Sequence, residues 1–221
     1  ETVVQVNAGR IYTPHSGLPA NLPERTRHDE SVHIAVNSKG MKVSYRLLNI
    51  CQRLKLSASR PLVFHFFPGE RGVGLDGFAA RIQASLSTSK IHGYMPYPEF
   101  LQALKNCDLS LAAFPFGNTN STVDASLLGV PVVAHFGPEI PSQTDHDILK
   151  VLGVSDDLVC DSDEEYFQVC LELVNDRCKR LYLRDKISSE LPFERLLVDR
   201  TSSDCGPFAD LFMQAYQASL S

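Results

Sequence analysis

Short, nearly unbroken apolar runs alternate along this chain with longer stretches whose apolar residues recur every three or four positions. Val32–Val36 is a run of the first kind, as are residues 61–67, 108–113 and 130–136, all short enough to be strands buried on both faces. Residues 90–93 form a weaker run and 157–160 a short last one. Between them, residues 41–56 place Leu47, Leu48, Cys51 and Leu54 at helical spacing, and 97–106 do the same with Phe100, Leu101 and Leu104. Helices are also predicted over 75–86, from about Val123 onward, and over 145–152, closed by Gly153. A long helix is predicted from Ser162 to about Ser188, with Ser162 as its N-cap and Glu165 at the capping-box position.

Strands that alternate with helices predict an α/β fold, a doubly wound parallel Rossmann-like sheet covered on both faces. Ligands of such sheets bind beyond the carboxyl ends of the strands, near a topological switch point. The loops at 37–42, 68–74, 93–97, 114–121 and 136–143 each follow a strand and are therefore the candidates. The stretch 114–121 stands out. It ends an apolar strand in a Gly/Asn/Thr/Ser turn and opens a helix, which offers backbone N–H groups and a positive dipole end to an anion.

Composition narrows what such a cradle could serve. With 221 residues, 43% hydrophobic and 21% charged, the chain carries enough apolar surface for a sizeable core. A net charge of −5 argues against bulk attraction to nucleic acid or to an anionic membrane, and leaves room for a local basic pocket. The six cysteines form no C-x-x-C pair, and several sit in strand or helix patterns where a reduced thiol acts as a small apolar residue, so a reducing, cytoplasmic setting is expected. No apolar run is long enough for a membrane span. The first residue is Glu1, an apparent strand at residues 3–6 follows, and the passage from Pro14 to Pro23 has linker character, so a fragment of a longer protein is expected. The expected division is a remnant and linker at 1–30, a binding domain at 31–190, and a C-terminal crossing segment at 191–221 that contains a helix at 205–218.

Several chemistries lack their motifs. There is no G-x-G-x-x-G after the first strand, no G-x-x-x-x-G-K-[ST], no H-E-x-x-H and no G-x-S-x-G elbow. The remaining candidates also have plain structural readings. Ser121 could simply cap a helix and Asp124 be the acid favoured in its first turn, Lys42 could be a solvated lysine, and Tyr97 a half-buried helix residue. His65 and His135 sit in apolar strands and read as hydrogen-bonded core histidines.

The combination is more specific than its parts. The block Phe114-Pro115-Phe116-Gly117-Asn118-Thr119-Asn120, followed by Asp124, Leu128-Gly129-Val130 and Gly137-Pro138-Glu139, resembles the nucleotide-sugar site of the bacterial cytoplasmic N-glycosyltransferases that modify high-molecular-weight adhesins. Those enzymes are relatives of the protein O-GlcNAc transferases in glycosyltransferase family 41. His33-Ile34-Ala35-Val36 with Met41-Lys42, and Pro96-Tyr97 with Leu101, match in the same order. The resemblance implies the C-terminal, donor-binding half of a glycosyltransferase B architecture, with the N-terminal Rossmann half as a missing partner. It implies an inverting transfer of hexose from a UDP-sugar to a protein side chain, asparagine first, with no metal required. By position, Lys42 and Asp124 would be the essential polar residues. Ser38, Pro96, Tyr97, Gly117, Asn118, Thr119, Asn120 and Ser121 would line the donor site. Tyr94 stands where the family carries a histidine, and a threonine is expected near Lys39, which leaves the choice of sugar open. A non-catalytic nucleotide-sugar-binding module and a nucleotide-sugar epimerase are the alternative readings, since fold alone does not fix function.

Overall fold

The structure is a computed structural model that describes residues 12–197 together with 213, 216 and 217. The strand expected at 3–6 and the helix expected at 205–218 lie outside those residues, except for three positions of the latter. Six strands form one all-parallel sheet, β1 (Val32–Val36), β2 (Leu62–Phe66), β3 (Lys90–Ile91), β4 (Leu109–Leu111), β5 (Val132–His135) and β6 (Val159–Cys160), in the order β3-β2-β1-β4-β5-β6. The order reverses direction between β1 and β4, so the doubly wound class holds and the switch point falls there. Their register pairs Val36 with Leu111, which sets the loops leaving β1 and β4 side by side. All residues of β1 and β4 are buried, as runs apolar on both faces require.

Helix boundaries follow caps that hydrophobic spacing does not report. The stretch expected to be helical from Met41 begins as a 3-10 turn, Gly40–Lys42. Ser44 then caps α1 (Tyr45–Ser57) by accepting a hydrogen bond from the Leu47 amide at 3.2 Å, so Lys42 lies outside the helix. Helix α2 (Gly72–Ser85) starts three residues before Leu75, and α3 (Tyr97–Lys105) stands nearly as expected. Helix α4 (Asn120–Leu127) takes Thr119 as its N-cap, not Ser121. Helix α5 (Ile140–Val151) begins at a proline-containing first turn, which moves Asp145 from a helix start to a helix middle. A short α6 (Ser155–Leu158) replaces the first half of the strand expected at 157–160.

The long helix expected from Ser162 is two. Ser162 does cap α7 (Asp163–Asn175) as expected, but Asp176 ends that helix and caps α8 (Arg177–Ser189) by accepting from the Lys179 amide at 2.9 Å. The Arg180 guanidinium donates to the carbonyls of Leu173 and Val174, satisfying the last turn of α7. A short α9 (Pro192–Leu196) closes the described segment, and Tyr12 bonds to it through the Leu196 carbonyl at 3.2 Å.

Three histidines cross the sheet in a hydrogen-bonded row. His33 Nδ1 meets His65 Nε2 at 2.8 Å, and His65 Nδ1 meets His92 Nε2 at 2.9 Å. Ala35 lies opposite His65 in the register. Asp29 sits 3.3 Å from His33 Nε2, which favours that nitrogen as the donor, so that His33 and His65 accept at Nδ1 from the Nε2–H of the next ring. Burial holds all three rings below the ordinary histidine range, His65 at about 3. An added proton would set one N–H against another. Because folding depresses these pKa values, the stability they carry is present above about pH 6.5 and is lost as pH falls toward 3. Thermal melts from pH 7 to pH 4 are expected to show a falling Tm, with a shallower fall in His65→Phe.

Candidate functional site

The site is built by the two loops that leave β1 and β4. On the β4 side, Tyr166 of α7 donates its hydroxyl to the carbonyls of Ala112 and Val133 at 3.0 and 3.1 Å, and its ring meets Phe114 edge-on. That buried contact fixes where the loop departs. The Phe114-Pro115 peptide is cis, and Gly117 follows at φ 64°, in the left-handed region that favours glycine. A Cβ at Gly117 would lie 2.7 Å from Asp145 Oδ2 and 2.8 Å from the Pro141 carbonyl, so only glycine fits.

Asp145 organises this turn. Its carboxylate accepts from the amides of Asn118 and Thr119 and from the Thr122 hydroxyl, each at 2.7 Å. Thr119 is thereby held at φ 51°, a conformation that costs about 1–3 kcal/mol in a residue other than glycine. Burial raises the Asp145 pKa, while the three donors and the Lys42 charge act the other way.

The β1 loop joins the same turn. Ser38 donates its hydroxyl to Asn118 Oδ1 at 2.5 Å, and Lys42 Nζ donates to the Gly117 carbonyl at 3.0 Å. Because Lys42 ends a 3-10 turn, its side chain reaches across the switch point toward the start of α4. Lys42 and residues 117–121 therefore open on the same end of the sheet, although they are 75 residues or more apart in sequence. Among the described residues, the amides of Asn118 and Thr119 are occupied by Asp145, which leaves the Asn120 amide, the weakly held Ser121 amide (3.4 Å to the Asn118 carbonyl) and the buried Asn118 side-chain NH2 as donors without a strong protein acceptor.

A second pair lies one turn along α4. Tyr97 donates its hydroxyl to Asp124 Oδ1 at 2.5 Å and stacks on His15 with ring centroids 3.9 Å apart. Tyr97, Asn120 and Asp124 share a cavity of about 140 Å³ with Tyr12, His15 and Leu18. Burial raises the Asp124 pKa to about 6, against the opposing hydrogen bond from Tyr97 and the charge of His15. The Tyr97 hydroxyl is pushed well up by burial and by that carboxylate. Asp124 is thus bonded by Tyr97 and not by Lys42. Pro96 is exposed at the start of α3.

The sequence reading did not single out Asp145. It lies two residues past the loop at 136–143, and the polar run Ser142-Gln143-Thr144-Asp145 after a strand was the available signal. His65 is buried and bonded to its neighbours in the row, and the partly buried His135 places Nε2 3.3 Å from Asp163 Oδ1. Among the described residues, no three His, Cys, Asp or Glu side chains converge as a metal-ligand group, and no helix is long and apolar enough to cross a membrane.

No protein-family profile matches the chain. Over 212 residues, 95% of its length, the chain is 27% identical to the UDP-glucose:protein N-beta-glucosyltransferase of Actinobacillus pleuropneumoniae serotype 5b (strain L20). The same figures hold for the protein of that name from serotype 7 (strain AP76). The match covers 34% of either relative, so the chain spans about a third of their length. Among solved structures, a mutant O-GlcNAc transferase of Thermobaculum terrenum superposes with a TM-score of 0.71 at 20% identity, over 91% of this chain and 38% of that one. WaaG, a glycosyltransferase involved in lipopolysaccharide biosynthesis, superposes with a TM-score of 0.54 at 13% identity, over 75% of this chain and 43% of that one. These two likenesses are of fold. The chain is thus similar over nearly its whole length to part of the UDP-glucose:protein N-beta-glucosyltransferases, and it shares the doubly wound fold of the two glycosyltransferase structures.

Proposed function

We propose that this chain is the donor-binding unit of an inverting, UDP-sugar-dependent protein glycosyltransferase that modifies asparagine. The observation that carries the reading is the contact of Lys42 with the Gly117 carbonyl, which holds an ammonium beside the open amides at the start of α4, at the switch point of the sheet. Cleavage of the bond between an anomeric carbon and a diphosphate builds negative charge on the leaving group. A fixed ammonium and helix-end amides stabilise that charge more in the transition state than in the bound donor. The reading calls for no metal ion, since these groups supply the positive charge.

In this reading Lys42, the Asn120 and Ser121 amides and the Asn118 side chain face the diphosphate. Ser38, Gly117 and Thr119 shape the turn that presents them. Tyr97 and Asp124 lie toward the sugar or uridine, with Pro96 at the rim. A carboxylate beside a diphosphate repels it, so Asp124 serves best as a hydrogen-bond acceptor for a donor hydroxyl in place of the Tyr97 hydroxyl it now accepts from. In this reading residues 31–190 carry the sheet and the two loops of the binding unit, and Tyr12, His15 and Leu18 of the segment before it line its cavity. The buried reduced thiols of Cys51, Cys107, Cys160 and Cys170 suit a cytoplasmic setting.

Mass spectrometry of an Asn-x-Ser/Thr peptide, incubated with UDP-glucose and a protein that joins this chain to its partner half, tests the proposal. The expected product carries one added hexose on asparagine. UDP binding without transfer would favour a non-catalytic module, and interconversion of UDP-sugars without a peptide would favour an epimerase.

A further inference from the structure

A second cavity, about 640 Å³, opens at the amino ends of the strands, the end of the sheet opposite Lys42. Six arginines line it, although the chain as a whole carries a net charge of −5. Arg25 and Arg27 come from the segment before β1, Arg60 from the entry to β2, and Arg177, Arg180 and Arg184 from one face of α8. Three carboxylates accompany them, Asp29, Glu30 and Asp108. Asp108 is taken by Arg25 at 2.7 Å and by Arg27, and Asp29 by Arg27 and His33. Arg180 and Arg184 are tied to carbonyls, Arg184 Nη2 to that of Cys107 at 3.1 Å, so they form a fixed back wall. Arg60 and Arg177 have no carboxylate within ion-pair distance among the described residues, and both are exposed at the mouth.

We propose that this cavity is a binding site for a compact anion bearing two or more phosphate groups, distinct from the donor site. Its volume is that of a small-molecule pocket, and its concavity suits a compact ligand better than a flat protein surface. Guanidinium groups pair with phosphate oxygens in a two-pronged geometry, and several of them converging without enough carboxylates favour an anion of high charge. Arg180 and Arg184 are held below the ordinary arginine range by burial, and neighbouring arginines add to the repulsion, which a bound polyanion would relieve.

Calorimetry with inorganic tripolyphosphate on the whole chain at about 0.15 M salt, near the physiological ionic strength, tests this. The titration should show a saturable event that persists in Lys42→Ala, whatever the diphosphate cradle adds in wild type, and in the double variant Arg60→Gln/Arg177→Gln that event should weaken about tenfold or more, since it loses two charge-assisted contacts. Neither arginine holds a described partner, so the fold should be kept, and an unchanged melting curve checks that. Absence of saturable binding overturns the proposal, as does binding that is lost in Lys42→Ala but kept in the double variant. Stronger competition by a polyglutamate peptide than by tripolyphosphate itself would assign the cavity to a protein partner and also overturn it.

Discussion

Lys42→Ala should lower sugar transfer by about 10²-fold or more, measured as kcat/KM for UDP-glucose in a protein that joins this chain to its partner half. The ammonium is held at 3.0 Å from the Gly117 carbonyl at one end of a sheet whose neighbouring residues are buried. Charge that develops on a leaving diphosphate there is poorly screened, and an interaction realised in the transition state appears in kcat, whereas one made equally with the bound donor appears in KM. Lys42→Arg should recover only part of the rate, because a planar, delocalised guanidinium does not reproduce the compact charge of the ammonium beside the Gly117 carbonyl. The melting temperature should scarcely change, since Lys42 is only partly buried and makes one hydrogen bond across the loops. A rate within a few-fold of wild type would remove Lys42 from the chemistry.

Asp145→Ala should be the most destabilising single change near the site. It strands two backbone amides and one hydroxyl in a buried turn and frees Thr119 from the contact that holds it at φ 51°. Each unsatisfied buried donor costs about 1–3 kcal/mol, so a loss of about 3 kcal/mol or more is expected after water enters. For a chain of this size that corresponds to a fall in Tm of roughly 6–12 °C. Asp145→Asn keeps one acceptor oxygen and should lose less. UDP affinity should fall in both variants, because the turn that presents the Asn120 and Ser121 amides relaxes. A melt of Asp145→Ala that matches wild type would show that the turn is held by other means.

The sheet was legible in the sequence because its strands are apolar on both faces, and that pattern fixed their order along the chain and the loops that follow them. The crossing order was not legible; it follows from β4 returning past β1, which no local pattern records. Helix ends were missed where a lone polar side chain decided them, as Ser44 does for α1 and Asp176 for the break between α7 and α8, whereas Ser162 was read because Glu165 stands at its capping-box position. The convergence of Lys42 with residues 117–121 was anticipated from the block around Asn118 and its resemblance. The organising role of Asp145 was not, because its partners lie 23 to 27 residues earlier and nothing in a helical spacing marks a carboxylate that turns back onto a loop. The histidine row was hidden for the same reason, its members being 32 and 27 residues apart.

Amide chemical shifts of the isotope-labelled chain during a UDP titration test the diphosphate pocket most directly. Saturable changes centred on residues 38–42 and 117–121 are the predicted result. Changes confined to the arginine-lined end, around residues 25–31 and 177–184, with the two loops at the β1/β4 switch point unmoved, would contradict it.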